Sequence, residues 1–186
     1  MSIYRSIFGV IVVLALLTAC GNASVAPAEV KVNTPKPPPA WLSVKFTDAV
    51  TGKDFMINDF KGKVVVVDLM AVWCPNCLRE QQQLKALRDI VSPDDLVVVT
   101  LGIDLHEDAA VLKKYAQENG FEWRYAVAPL EAMRDIGNLY GARFMDPTLS
   151  PTLIVDRQGE IYTMNFGYKK AEDIKKAITP LVQAKS

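Results

Sequence analysis

The chain has 186 residues, half of them hydrophobic, with 21 Lys+Arg balanced by 21 Asp+Glu. That length suits one domain of ordinary size plus extensions, and the apolar share is enough for a packed core. The even charge gives no electrostatic basis for binding nucleic acid or an acidic surface.

Residues 1–19 read as an export signal. Arg5 supplies a positive start, 7–17 form an apolar run, and small residues follow. The run falls short of the roughly 20 apolar residues of a comfortable membrane-spanning helix. Leu17-Thr18-Ala19-Cys20 is similar to a bacterial lipobox. That similarity implies that Cys20 is lipidated, becomes the mature N-terminus and holds the protein to a bilayer. An ordinary cleaved signal or an uncleaved anchor is the alternative. Residues 20–40 then read as a tether, because Pro27, Pro35, Pro37, Pro38 and Pro39 without apolar periodicity favour extended polyproline II.

The folded domain is expected over 41–186. Strands at 42–47 and 53–57 flank Thr51-Gly52, a hairpin signal. Residues 63–70 carry four consecutive valines, the composition of a strand buried on both faces. A helix follows over 75–91, with Cys77, Leu84, Leu87 and Val91 on one face. Residues 95–101 form a second buried strand, and 108–119 a helix stopped by Asn119-Gly120. A short strand at 124–128 and a helix at 130–140 come next. Strands at 152–156 and 160–165 are joined by Arg157-Gln158-Gly159, and 169–184 is a closing helix with Ile174, Ile178 and Leu181 inward. This order predicts an α/β fold with a central mixed sheet, helices on both faces and an N-terminal β-hairpin extension.

The chemistry concentrates at Trp73-Cys74-Pro75-Asn76-Cys77, where a buried strand turns into a helix. Pro75 suits a first helical turn because its missing N–H would have had no partner there. Unpaired N–H groups and the positive end of the helix dipole favour an anion, so a thiol at this point is biased toward thiolate. Cys74 is expected to be the more exposed sulfur and the nucleophile, with Cys77 close enough to close a disulfide. The chain holds three cysteines, and if Cys20 carries lipid the other two form one adjacent pair. Closing so short a loop removes little chain entropy, which favours a redox role over a structural one. Asp68 interrupts the buried strand six residues before Cys74, and an unpaired carboxylate there should be raised in pKa or matched to a partner.

With these motifs the chain resembles the thioredoxin superfamily, and within it the membrane-tethered, extracytoplasmic thiol-disulfide reductases of the cytochrome c maturation type. The resemblance runs from about Trp41 to Val182 and rests on Trp73-Cys74-Pro75-Asn76-Cys77 together with Ser150-Pro151-Thr152 ahead of Leu153-Ile154-Val155-Asp156. It implies that Pro151 packs on the disulfide and that the backbone of Ser150 pairs with a substrate strand. Trp73, Pro75, Ser150 and Pro151 are thereby the expected substrate-facing residues. Asp68 matches an acid thought to take the proton of the second cysteine; the alternative is that it bonds a nearby Lys or backbone group. Glu80 matches an acid beside the thiols; the alternative is a solvated helix carboxylate. The chain departs from many relatives in carrying Gln82 where they have a proline. It also has a longer segment before Pro151, containing Arg143-Phe144-Met145-Asp146-Pro147, near the active-site rim.

Two functions compete. The first is a dithiol-disulfide oxidoreductase, needing no cofactor beyond the Cys74–Cys77 disulfide, that reduces exported proteins and is fed by a membrane thiol donor. Known potentials for this chemistry span about 150 mV, or about 7 kcal/mol for two electrons, and the motif does not fix the direction. The resemblance and Asp68 favour reduction, with apocytochrome c haem-site cysteines as the substrate the family implies. A monomer anchored through Cys20 on the extracytoplasmic side is expected. The second reading is a copper chaperone using Cys74, Cys77 and His106, since thiolates suit Cu(I). A closed zinc site lacks its four ligands, and a thiol peroxidase needs a different local pattern around its cysteine.

Overall fold

The computed structural model describes residues 37–184; the signal, Cys20 and most of the expected tether lie outside them. The described chain opens with a 3-10 turn, Ala40–Ser43, where a strand is expected from the sequence. Tertiary burial decides this. Trp41 and Leu42 are fully buried, and the Trp41 N–H donates to Asp135 Oδ2 at 2.8 Å. The hairpin itself is present but short, with β1 (Phe46–Thr47) antiparallel to β2 (Asp54–Phe55). Asp48 fixes its turn by accepting the Val50 N–H at 3.1 Å and the Thr51 hydroxyl at 2.6 Å. A second 3-10 turn, Ile57–Phe60, replaces the end of the second predicted strand.

The main sheet follows the predicted plan. β3 (Val64–Met70) is buried at every position and runs into α1 (Pro75–Ile90). β4 (Leu96–Gly102) leads to α2 (Ala109–Asn119), β5 (Arg124–Val127) to α3 (Leu130–Tyr140). Asp108 caps α2 by accepting the Val111 N–H, and Gly120 closes it at φ 62°, a conformation that costs glycine little. β6 (Thr152–Val155) and β7 (Ile161–Thr163) form the last hairpin, and α4 (Ala171–Gln183) closes the chain, taking Pro180 into its last turn. The strand order is β5-β4-β3-β6-β7. β3 pairs in parallel with β4, Val64 opposite Leu96, and antiparallel with β6, Asp68 opposite Thr152.

Side chains alternate across β3. Val64, Val66 and Met70 pack with Leu84 and Leu87 of α1, Leu112 of α2, and Ile174 and Ile178 of α4. Val65, Val67 and Leu69 pack on the other face with Trp41, Phe46, and Ala132 and Ile136 of α3. Asp68 shares the parity of Val66 and Met70, so it is aimed at the helix that carries the cysteines. At the far end of the sheet, Arg157 bonds the Gly62 carbonyl, Asp95 Oδ1 and, at 2.9 Å, the Val182 carbonyl.

Candidate active site

Cys74 is the N-cap of α1, and its Sγ accepts the Cys77 N–H at 3.2 Å. The helix start therefore places a backbone donor on the first sulfur, the arrangement that favours negative charge there. The two cysteines form a disulfide with Cα atoms 5.3 Å apart. The turn between β3 and α1 is fixed by Glu107, whose Oε1 accepts the Val72 N–H at 2.7 Å; burial raises its pKa. Trp73 stands 55% exposed, with its indole N–H donating to Asp104 Oδ2. Pro75 and Asn76 are exposed.

Contrary to the sequence expectation, Cys74 is not the exposed sulfur: it is 1% exposed and Cys77 0%. The cover comes from the segment before Pro151. Ala142–Met145 and Pro147–Leu149 form two 3-10 turns, and the Pro147 carbonyl oxygen lies 3.3 Å from Cys74 Sγ and 3.1 Å from Cys77 Sγ. Asp146 holds the second turn by accepting the Thr148 N–H at 3.0 Å and its hydroxyl at 2.6 Å. A carbonyl dipole aimed at both sulfurs opposes a thiolate, so the closed segment and the helix start pull in opposite directions.

Pro151 is buried, and its carbonyl accepts the Leu69 N–H at 3.0 Å. Ser150 is buried at φ 47°, with its N–H donating to the Pro147 carbonyl at 2.9 Å and its own carbonyl accepting from Lys169 Nζ at 2.7 Å. The backbone groups expected to pair with a substrate strand thus have partners inside the protein. The N–H is held by Pro147 of the covering segment, and the carbonyl by Lys169 from outside it.

A buried polar cluster lies between α1 and the sheet. Glu80, one turn after Cys77, is 0% exposed, not solvated; its Oε1 accepts the Thr152 hydroxyl at 2.7 Å and lies 3.1 Å from Lys169 Nζ. Asp68 is 0% exposed, and its Oδ2 accepts from the Gln81 amide at 2.9 Å and the Thr100 hydroxyl at 3.3 Å. Its partners are therefore neutral side chains, not a Lys or the backbone. Tyr125 completes the row by donating to Gln81 Oε1 at 2.7 Å. Asp68 Oδ1 and Glu80 Oε2 are buried with no hydrogen-bond partner among the described residues. Burial, then the charge of Glu80, pushes Asp68 up to about 7. Burial also raises Glu80, while the Lys169 ammonium works against that rise.

The arrangement can do dithiol chemistry: two sulfurs joined as a disulfide, with a backbone donor at the first. It does not assemble the copper site. His106 is exposed, and among the described residues no group of three or more His, Cys, Asp or Glu side chains is placed to hold a metal.

The family model described as Redoxin matches residues 32–179. The chain belongs to the Redoxin family. Among curated proteins, this Redoxin-family chain is 23% identical over 124 residues to the thiol-disulfide oxidoreductase ResA of Geobacillus thermodenitrificans (strain NG80-2), covering 67% of this chain and 66% of that one. It thus spans just under two thirds of that relative. Among solved structures it matches the thioredoxin domain of a thiol-disulfide oxidoreductase from Bacteroides vulgatus, with TM-score 0.59 and 21% identity over 75% of this chain and 93% of that one. It also matches a DsbF homologue from Corynebacterium diphtheriae, with TM-score 0.61 and 18% identity over 74% of this chain and 83% of that one. The fold of this Redoxin-family protein is the expected thioredoxin-like α/β fold with a mixed central sheet.

Several groups of the site escape a reading of the sequence. Lys169 sits among charged neighbours at the start of a helix and carries no mark of burial. Glu107 lies beside His106 in a polar loop, where one more carboxylate looks ordinary. Thr152 is marked in the sequence by the Ser150-Pro151-Thr152 motif, and the β6 register opposite Asp68 brings its hydroxyl to Glu80.

Proposed function

We propose that this Redoxin-family protein is an extracytoplasmic thiol-disulfide oxidoreductase that reduces disulfides of exported proteins. The observation that carries the reading is the Cys74 sulfur at the N-cap of α1, bonded by the Cys77 N–H and joined to Cys77 in a disulfide. In the reduced enzyme the Cys74 thiolate attacks one sulfur of a substrate disulfide. A mixed disulfide forms, and the other substrate sulfur leaves as a thiolate that takes a proton. Cys77 then passes its proton to the Asp68–Glu80 pair and attacks Cys74 Sγ. The Cys74–Cys77 disulfide closes and the second substrate sulfur leaves reduced. The substrate gains two electrons and two protons, and a membrane thiol donor returns the enzyme to its dithiol form.

Trp73 and the 69%-exposed Leu105 form the apolar rim that meets the substrate chain. An open groove of about 330 Å³ continues it, lined by Leu105, Leu130, Met133 and Met145. Lipidated Cys20 and the proline-rich tether hold the domain at a bilayer on the oxidising side of the membrane, where a reductase needs its own electron supply. The cysteine pair of an apocytochrome c haem site is the substrate class the resemblance favours. In an insulin-type disulfide reduction assay, Cys74→Ser is expected to lose activity by about a hundredfold or more, because the attacking sulfur is gone. Cys77→Ser is expected to accumulate a mixed disulfide with substrate, visible as a dithiothreitol-sensitive adduct. Full activity in Cys74→Ser would reject the reading.

A further inference from the structure

The cluster contains one charged group that the dithiol cycle does not use. Lys169 is 6% exposed, yet its ammonium is fully engaged. It lies 3.1 Å from Glu80 Oε1, and it donates to the carbonyls of Ser150 and Gly167 at 2.7 Å each and of Asn165 at 3.4 Å. Burying an ammonium is costly unless its charge and its donors are all matched, and here one carboxylate and three carbonyls do so. Two of these partners matter for the chemistry. Glu80 is one helical turn from Cys77 on the same face of α1. Ser150 is the foot of the segment that covers both sulfurs, and among the described residues it is the only one other than glycine with positive φ. Such a conformation persists only where the surroundings impose it. Lys169 supplies the surroundings on the carbonyl side, and the Pro147 carbonyl supplies them on the N–H side. The Gly167 N–H adds a bond to the Leu149 carbonyl at 2.7 Å, so the loop before α4 grips the covering segment at two consecutive residues.

We propose that Lys169 is a positioning residue of the dithiol reaction: it supplies the counter-charge for Glu80, one helical turn after Cys77, and, with the same ammonium, holds the Ser150 carbonyl that seats the cover over the sulfurs. The proposal rests on the oxidoreductase reading. It adds a physical link between the charge state of the proton-accepting pair and the segment that controls access. The titratable groups that act on this ammonium and its partner are Glu80 from α1 and Asp68 from β3; Tyr125 from β5 bonds Gln81, and Tyr168, beside Lys169 in the chain, faces the Arg79 guanidinium instead.

The test uses the full chain, reduced, with peptide-resolved alkylation of Cys74 and Cys77 by iodoacetamide between pH 5 and 10. Because this readout needs no substrate, it stands even if insulin reduction by the wild type were to fail. Lys169→Met removes the positive charge paired with Glu80, one helical turn from Cys77, so the alkylation midpoint of Cys77 is expected to move up by one pH unit or more. Release of the mixed disulfide at pH 7 is expected to slow tenfold or more. Lys169→Arg keeps charge and donors and should restore both. Lys169→Gln keeps a donor without the charge, and it should show the Met phenotype in the pH profile while folding normally. Wild-type alkylation profiles in both Lys169→Met and Lys169→Gln, with only a lower melting temperature, would make Lys169 a structural plug and overturn the proposal. Failure of Lys169→Arg to restore the profile would overturn it as well.

Discussion

Asp68 carries an energetic penalty in the folded protein. It has two neutral donors on one oxygen and none on the other among the described residues, and burial with the nearby Glu80 charge pushes it from 3.8 up to about 7. Between pH 4 and 7 the native state therefore binds more protons than the unfolded chain. Stability falls as pH rises through that window, and the loss is complete above about 7. A rise of this size corresponds to on the order of 4 kcal/mol, shared with the coupled Glu80. Asp68→Asn removes the titration. Urea unfolding at pH 5 and pH 8 is expected to show a wild type that loses stability on going to pH 8 and a variant that loses far less. The same substitution should slow release of the mixed disulfide about tenfold or more, since general-base help in such steps is commonly worth a hundredfold. The sequence makes Asp68 conspicuous because a carboxylate interrupts a run of valines. It cannot name the partners, because Gln81 and Thr100 come from an adjacent helix and strand and look ordinary where they stand.

At the scale of elements, legibility followed the strength of local pattern. The all-buried β3, the amphipathic α3 and the Cys-capped α1 were readable to within a residue or so, because apolar spacing, Pro75 and the cysteines all pointed the same way. The 3-10 turns were not readable. Ala40–Ser43 bends to bury Trp41, and Pro147–Leu149 bends to lay a carbonyl across the sulfurs, both for contacts distant in sequence. The longer segment before Pro151 was visible as extra length near the rim, but its function as a cover was not. That cover is tied by Asp146 to Thr148. Loss of such a cap costs about 1 kcal/mol, a factor of about five in how often the segment lifts. Asp146→Ala should accordingly speed reduction of the Cys74–Cys77 disulfide by a small thiol about fivefold, measured by loss of the oxidised form over time.

For the whole molecule, the sheet separates strength from reactivity along its strands. The parallel pair β3 and β4 both deliver their C-terminal ends to the cysteine edge, while Arg157 binds Gly62, Asp95 and Val182 at the opposite edge. Seven residues of β3 put these edges about 20 Å apart. Arg157→Ala removes charge-assisted bonds worth about 2 kcal/mol and should lower the melting temperature by about 6 °C. The reduction potential of the disulfide is expected to stay at its wild-type value, read by equilibration against glutathione. A last consequence concerns the carbonyl of Pro147 seated on both sulfurs. A reagent that must wait for its target to be uncovered cannot be hurried without limit by adding more of it. Plotted against small-thiol concentration, the rate of reduction should bend over to a plateau, and the height of that plateau is the protein's own opening frequency.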